Sequence, residues 1–201
     1  MKLYFSGNSP YARRPRLAIR EAGLIGNKVE EVNLKTPEER VDVLIKHGPG
    51  TKVPALLTDN DVLICESLII ARVLDELSGG KLYPKEQKAR ELAFQVEGVA
   101  SLLMDSLFHR SHEKRRDPSE RSPAEIKKEA ERAQRCYDEL QRLLPVYDGK
   151  IDMASMTVVA SLGYADGRHP DDNWREGRGK LTDWFETIMQ RPAMAETKPN
   201  F

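Results

Sequence analysis

The spacing of apolar residues in the first part of the chain predicts alternating strands and helices. The run Lys2–Phe5 is typical of a strand, and Ser9 followed by Pro10 predicts a helix start, because serine caps helix N-termini and proline fits the first helical position. A second strand is predicted over residues 28–33. Pro15 lies beyond the first helical turn, where proline removes a hydrogen bond, so we expect the helix to bend there or to begin later than Pro10.

A hairpin that feeds a helix is predicted next. Apolar residues at 51–57 and 62–64 flank a polar turn, and a long apolar helix begins near Ser67. A proline within a strand belongs at its first residue or at a sheet edge, because it cannot donate to the ladder. We therefore expect Pro54 to open the strand through a cis bond that leaves the N–H and C=O of Val53 facing outward.

The rest of the chain is predicted to be helical. A long helix is expected over residues 85–112, beside a cleft. Ser122 and Glu125 have the spacing of a capping box for a second long helix, and Asp152 is expected to cap a buried third one. The last helix is predicted over residues 178–191, and it should close the helical region.

The change of pattern near residue 80 divides the 201-residue chain into two predicted domains. We expect an α/β domain at residues 1–78, a linker at 79–85 and an all-helical domain at 86–201. Either part is long enough to bury a core.

Charge and composition restrict the partners. The 32 basic residues balance 32 acidic ones, so no net field attracts nucleic acid or an anionic membrane. The sequence has neither a charged and apolar leader nor an apolar run of about eighteen residues, which predicts a cytoplasmic protein with no membrane partner.

No metal is expected. Cys65 and Cys136 lack metal-ligand spacing, and we predict that both are buried thiols in a reducing compartment. His109 and His112 lie among basic residues, but two histidines without a third ligand make a poor metal site, and nearby acidic residues weaken a nucleic-acid patch.

Four short segments are informative because of their order along the chain. They are Ser9-Pro10-Tyr11-Ala12-Arg13-Arg14, Lys52-Val53-Pro54-Ala55-Leu56, Glu66-Ser67-Leu68-Ile69-Ile70 and Arg191-Pro192-Ala193-Met194. Together they resemble the bacterial cytosolic glutathione S-transferase family of the serine type. The resemblance implies a thioredoxin-like N-terminal domain with a four-stranded mixed sheet, an all-α C-terminal bundle, a homodimer, and glutathione as cosubstrate.

The resemblance also implies a glutathione site. Ser9 would donate a hydrogen bond to the sulfur, and the Val53 backbone, beside Pro54, would pair with the cysteinyl residue. The remaining implied roles are Ser67 for the γ-glutamyl carboxylate, Glu66 for the γ-glutamyl amino group and Lys52 for the glycyl carboxylate.

Tyr4 is the alternative to Ser9, because some transferase classes use a first-strand tyrosine hydroxyl. We favour Ser9, since a strand tyrosine packed against the first helix is the simpler interpretation of Tyr4. Glutaredoxins, which share the fold, carry Cys-Pro-Tyr-Cys where this chain has Ser9 to Ala12. The absence of both cysteines excludes disulfide exchange through this turn.

The co-substrate is expected to be a small hydrophobic electrophile in a pocket that includes Tyr11 and Phe108. Arg13, one turn after Ser9, is expected to be exposed. From there its charge could make the electrostatic potential around Ser9 more positive. Ser101 stands where some family members carry an aspartate that reaches glutathione in the partner subunit, so that carboxylate is missing here.

Two other functions remain open. The same activated thiol would serve a glutathione-dependent peroxidase, isomerase or dehalogenase. A non-catalytic binding or interaction protein on this fold would keep the binding residues without turnover.

Overall fold

The computed structural model describes residues 1–147 and 151–201. The first part of the chain forms β1 (Lys2–Phe5), α1 (Pro10–Glu21), β2 (Glu30–Asn33), α2 (Pro37–Leu44), β3 (Ala55–Leu57), β4 (Leu63–Ile64) and α3 (Ser67–Ser78). The second part forms α4 (Gln87–Glu113), α5 (Pro123–Leu143), α6 (Met153–Arg168), α7 (Gly179–Ile188) and α8 (Pro192–Glu196). Among these described residues, no helix is both long and apolar enough to cross a membrane.

The four strands form one mixed sheet in the order β2-β1-β3-β4. β1 runs parallel to β2 and antiparallel to β3, with Tyr4 opposite Ala55. β3 runs antiparallel to β4, with Leu56 opposite Ile64. This architecture, followed by helices only, confirms the predicted fold class, whereas the limits at residues 78 and 86 stay a prediction.

Successive residues of β1 point to opposite faces of the sheet, as strand geometry requires. Leu3 belongs to the large core that includes Leu17 of α1. Tyr4 lies in a smaller cluster with Leu44 of α2 and Ala55 of β3. The prediction that Tyr4 packs against the first helix is therefore wrong, because the pleat turns its ring toward the α2 side.

The first helix begins where the cap predicts. Ser9 is its N-cap, Pro10 is its first residue, and the helix continues without a break through Pro15 to Glu21. The alternative of a later start is wrong. Pro15 is buried within the helix, and packing around it holds the helical conformation despite the missing N–H.

The start of α5 differs in one contact from the predicted capping box. The Ser122 hydroxyl accepts from the Glu125 N–H at 3.2 Å, as predicted. The Ser122 N–H, however, donates to the Glu113 carboxylate at 2.7 Å, at the end of α4. A carboxylate of the preceding helix has replaced the reciprocal bond, and it ties the two helix ends together.

The buried helix α6 begins with a complete capping box. The Asp152 carboxylate accepts from the Ser155 N–H at 3.0 Å, and the Asp152 N–H donates to the Ser155 hydroxyl at 2.9 Å. The Tyr147 hydroxyl also donates to Asp152. Farther along, the Ser161 hydroxyl donates to the Ala100 carbonyl at 2.9 Å, which joins α6 to α4.

We predict that Asp152→Ala lowers the free energy of unfolding by about 2 kcal/mol, because it removes the cap and leaves the Tyr147 hydroxyl without its acceptor. Ser155→Ala should cost about half as much, since it leaves the Asp152 side chain in place. Urea denaturation followed by circular dichroism measures both values. Asp171→Ala, at an exposed aspartate, is the matched control. Equal stability of the Asp152 and Asp171 variants would contradict the prediction.

Candidate functional site

Ser9 lies between the end of β1 and the start of α1. Its hydroxyl oxygen accepts from the Ala12 N–H at 3.2 Å, which uses one lone pair of the oxygen. The hydroxyl proton is still available, because capping requires only an acceptor. Ser9 is partly exposed, so a ligand atom at the positive end of α1 can receive that proton as a hydrogen bond.

The bond between Val53 and Pro54 is cis, as predicted. Pro54 is buried immediately before β3, whereas Val53 is partly exposed. Among the residues that the structure describes, neither the N–H nor the C=O of Val53 has a hydrogen-bond partner. An extended peptide could pair with both groups.

Ser67 is the first residue of α3, and Glu66 precedes it with φ of +66°. A left-handed conformation at a residue other than glycine costs about 1–3 kcal/mol, and such strain concentrates at ligand sites. The conformation places the Ser67 N–H at the positive end of α3, where an anion is favoured. Ser67 is buried, and Glu66 is exposed.

Arg14 is a site residue that the sequence reasoning missed. Its side chain is only 2% exposed, and it donates to the Ser67 hydroxyl at 3.2 Å and to the Ser101 hydroxyl at 2.7 Å. Its position on the apolar face of α1, one turn after Pro10, was the available signal. Ser101 therefore binds an arginine of its own chain, in place of the aspartate that the resemblance would have supplied.

Glu97 is the negatively charged residue that most affects the pKa of the buried Arg14 guanidinium. Burial lowers the pKa of Arg14, and the carboxylate of Glu97 opposes that change. Burial likewise raises the pKa of Glu97, while Arg14 opposes the rise. The Tyr83 hydroxyl lies 3.2 and 3.1 Å from the two Glu97 carboxylate oxygens and donates to that group.

Arg13 has a structural role, and the prediction that it is exposed is wrong. It is 2% exposed and donates to the Met194 carbonyl at 3.1 Å and to the Val159 carbonyl at 3.3 Å. It also reaches the Thr197 hydroxyl at 3.3 Å. Burial lowers the pKa of Arg13 to about 10. Arg13 thus anchors the C-terminal segment to α1 and α6.

The structure brings Tyr11 and Phe108 together, as the predicted pocket requires. Their ring centroids are 5.1 Å apart in an edge-to-face arrangement, and the Tyr11 hydroxyl donates to Asp105 at 2.6 Å. Phe108 also packs on His112, with centroids 3.9 Å apart. These side chains line an aromatic wall that starts two residues after Ser9.

The remaining predicted residues lie at the surface. Lys52 and Glu66 are exposed, and within the described part of the chain neither forms a salt bridge. Cys65 is exposed, so the prediction of a buried thiol is wrong there, because the residue follows the edge strand β4. Cys136 is buried, and burial raises its pKa. Within residues 1–147 and 151–201, no three His, Cys, Asp or Glu side chains converge as metal ligands.

The chain is similar to known proteins in both sequence and structure. The family model described as glutathione S-transferase, N-terminal domain, matches residues 8–77. An uncharacterised GST-like protein, YibF of Escherichia coli strain K12, is 24% identical over 205 residues, which cover 99% of this chain and 98% of that protein.

Solved structures resemble the whole chain. A glutathione transferase family member from Pseudomonas fluorescens Pf-5 with bound glutathione is 28% identical, has a TM-score of 0.91, and is matched over 100% of this chain and 99% of its own. A second structure from that organism, with bound S-(propanoic acid)-glutathione, is 27% identical, with a TM-score of 0.86 and complete coverage of both chains.

Proposed function

We propose that this chain, whose residues 8–77 match the N-terminal domain of the glutathione S-transferase family, binds glutathione and stabilises the thiolate for attack on a small hydrophobic electrophile. The observation that carries the proposal is the meeting of three loops at one sheet edge. Tyr4 lies opposite Ala55, and Leu56 lies opposite Ile64, so the end of β1, the start of β3 and the end of β4 share that edge. Ser9 follows the end of β1, Val53 precedes the start of β3, and Ser67 follows the end of β4.

The Ser9 hydroxyl supplies enough free energy to ionise the thiol. A thiol of pKa about 8.5 is about 3% ionised at pH 7, and lowering the pKa by about two units requires about 2.7 kcal/mol. A charge-assisted hydrogen bond contributes about 1.5–3 kcal/mol, and a helix N-terminus adds about 0.3–1 kcal/mol. Ser9 can act while it caps α1, since capping uses a lone pair and catalysis uses the proton.

The rest of the tripeptide matches the free groups around the site. The unpaired Val53 backbone fits an extended cysteinyl residue, in the manner of a peptide added to a sheet edge. Ser67, at the positive end of α3 and in contact with the Arg14 guanidinium, fits the γ-glutamyl carboxylate. Exposed Glu66 suits the γ-glutamyl amino group, and exposed Lys52 suits the glycyl carboxylate.

The Pseudomonas fluorescens relatives hold glutathione or S-(propanoic acid)-glutathione, which supports glutathione as the cosubstrate. The aromatic wall of Tyr11 and Phe108 supports an apolar co-substrate beside the sulfur. The cytoplasm, where glutathione keeps thiols reduced, is the proposed location. Turnover of peroxides in place of organic halides would move the assignment to a peroxidase, and glutathione binding without turnover would move it to a binding protein.

We predict that Ser9→Ala lowers the rate of conjugation with an aryl halide at pH 7 about 3- to 25-fold, because the thiolate loses its hydrogen bond and less of the bound thiol is ionised. The pKa of bound glutathione, measured by thiolate absorbance against pH, should rise by about one to two units. The affinity for glutathione should change little, since the other contacts are intact.

Ser6→Ala, in the same loop, is the matched control, and Tyr4→Phe tests the alternative hydroxyl. Both should retain conjugation near the level of the unmodified protein. Full activity in Ser9→Ala together with loss of activity in Tyr4→Phe would transfer the role to Tyr4.

We predict that Ser67→Ala raises the Kd for glutathione about tenfold, because it removes one hydrogen bond to a carboxylate and leaves one Arg14 N–H unpaired. Isothermal titration calorimetry measures the affinity. The pKa of the bound thiol should be unchanged, since Ser67 is assigned to the opposite end of the tripeptide. Ser78→Ala, at the far end of α3, is the control. A shift in the thiol pKa with unchanged Kd would contradict the assignment.

We also propose a homodimer, supported by an apolar patch. Leu68 on α3 and Phe94 on α4 are 45% and 51% exposed and line one surface cleft. Ile69 and Leu102, on the same two helices, are 49% and 52% exposed. An apolar patch that spans both halves of the chain is typical of an interface, and it suits contact between the α/β part of one subunit and the helical part of the other.

Phe94→Glu should convert the dimer to a monomer, because a carboxylate would be buried without a partner in the interface. Light scattering at micromolar concentration gives the mass. Val146→Glu changes another exposed apolar residue, 71% exposed, and should leave the mass unchanged. A monomer in the unmodified protein would remove the proposal.

A further inference from the structure

Arg168, the last residue of α6, carries an unsatisfied guanidinium. Its carbon lies 4.5 Å from the centroid of the Phe201 ring, in a cation–π arrangement. Its Nε is buried, and within the described part of the chain it has no hydrogen-bond partner. A buried donor without an acceptor costs about 1–3 kcal/mol, so the position favours a ligand that supplies the acceptor.

The C-terminal segment places this cation on the same side of the molecule as Ser9. The Asn200 N–H donates to the Asn8 side chain at 3.1 Å, directly beside Ser9. The Phe201 ring packs edge to face on Tyr164, with centroids 5.5 Å apart. The segment therefore joins the loop that bears the catalytic hydroxyl to the end of α6.

The position of the Phe201 ring against α6 depends on the glycine at position 167. A Cβ added at Gly167 would lie 1.9 Å from the Phe201 ring, a distance that no packing permits. Only glycine at 167 admits the ring against α6, and the ring in turn supports one face of the Arg168 guanidinium. The platform under the cation is thus built by the close contact of glycine and phenylalanine.

The aromatic wall of Tyr11 and Phe108 continues to His112, near the end of α4. Arg168 is among the charges that lower the pKa of His112, after burial, Arg115 and His109. His112 packs on Phe108, and Phe108 packs on Tyr11. The wall thus runs from Tyr11, two residues after Ser9, to His112.

Three basic residues of α6 and the end of α4 have no acidic partner among the described residues. Arg168, Lys114 and Arg115 form no salt bridge within the residues that the structure describes. In the aromatic wall, the Asp105 carboxylate already accepts the Tyr11 hydroxyl proton in a hydrogen bond of 2.6 Å. A guanidinium with free N–H groups above an aromatic ring binds a planar carboxylate through two parallel hydrogen bonds.

We propose that Arg168 binds the carboxylate of the electrophile, so that the preferred co-substrates are aromatic or unsaturated acids with a reactive carbon. The inference rests on the proposed function and specifies its substrate class. For an aryl chloride, the glutathione sulfur forms a bond to the ring carbon, chloride leaves with the electron pair of the broken bond, and the thiol proton passes to solvent.

The test compares a chlorodinitrobenzoate with the corresponding chlorodinitrobenzamide, which has the same leaving group without the charge. The unmodified protein should use the benzoate with the higher kcat/KM. Arg168→Gln should lower kcat/KM for the benzoate about tenfold, mainly through KM, and change the benzamide less than about twofold. Arg168→Lys should retain part of the preference, because charge is kept and the bidentate geometry is lost.

Arg142→Gln removes the same charge from an exposed ion pair on α5 and is the matched control. It should leave both substrates unaffected, which separates a local contact from a change in net charge. Equal losses for the benzoate and the benzamide in Arg168→Gln would show that Arg168 only supports the C-terminal segment, and they would overturn the proposal.

A binding experiment keeps the inference separate from the proposed function. Calorimetry with S-(carboxybenzyl)glutathione and S-benzylglutathione measures the contribution of the carboxylate without any reaction. The carboxylate should improve affinity about tenfold in the unmodified protein and not in Arg168→Gln. If neither aryl chloride reacts but this difference is found, transfer chemistry fails and the acid site stands. If the difference is absent, the acid site fails whatever the turnover.

Discussion

The buried guanidinium of Arg14 is the interaction on which the candidate site depends. A cation without water is costly unless polar groups surround it. Its partners are the hydroxyls of Ser67 and Ser101, with the carboxylate of Glu97 close enough to affect its pKa. Because these residues belong to α1, α3 and α4, the contacts of this one charge join the two halves of the chain and hold Ser67, while the Arg14 Nε has no hydrogen-bond partner among the described residues.

The site otherwise uses backbone geometry more than side-chain chemistry. Ser9 and Ser67 begin α1 and α3, so two positive helix ends approach one sheet edge, and both favour the negative groups of the ligand. The cis bond before Pro54 and the positive φ of Glu66 orient the backbone between them. A peptide with a thiolate and a carboxylate matches this arrangement without a metal ligand from the protein.

Local signals predicted the parts of the site that neighbouring residues determine. The cap at Ser9, the cis bond at Pro54 and the start of α6 at Asp152 each depend on contacts within a few residues. Arg13 and Arg14 are adjacent and chemically identical in the sequence, yet their partners are far along the chain. Arg14 donates to Ser67 and Ser101, which are 53 and 87 residues away in the sequence. A pattern of neighbouring residues cannot indicate contacts over such separations.

The two proposed substrates differ in the same way, since one depends on local contacts and the other on contacts between distant parts of the sequence. The proposed glutathione site is indicated by short segments, because it is formed by caps and turns. We propose that the electrophile is held by side chains from α4, α6 and the C-terminal segment, such as Phe108, Arg168 and Phe201, which are far apart in the sequence. Relatives that are 24–28% identical over nearly the whole chain can therefore preserve the fold while these positions change. The contact between Gly167 and Phe201 is such a position, because a side chain at 167 would displace the ring and the support of Arg168.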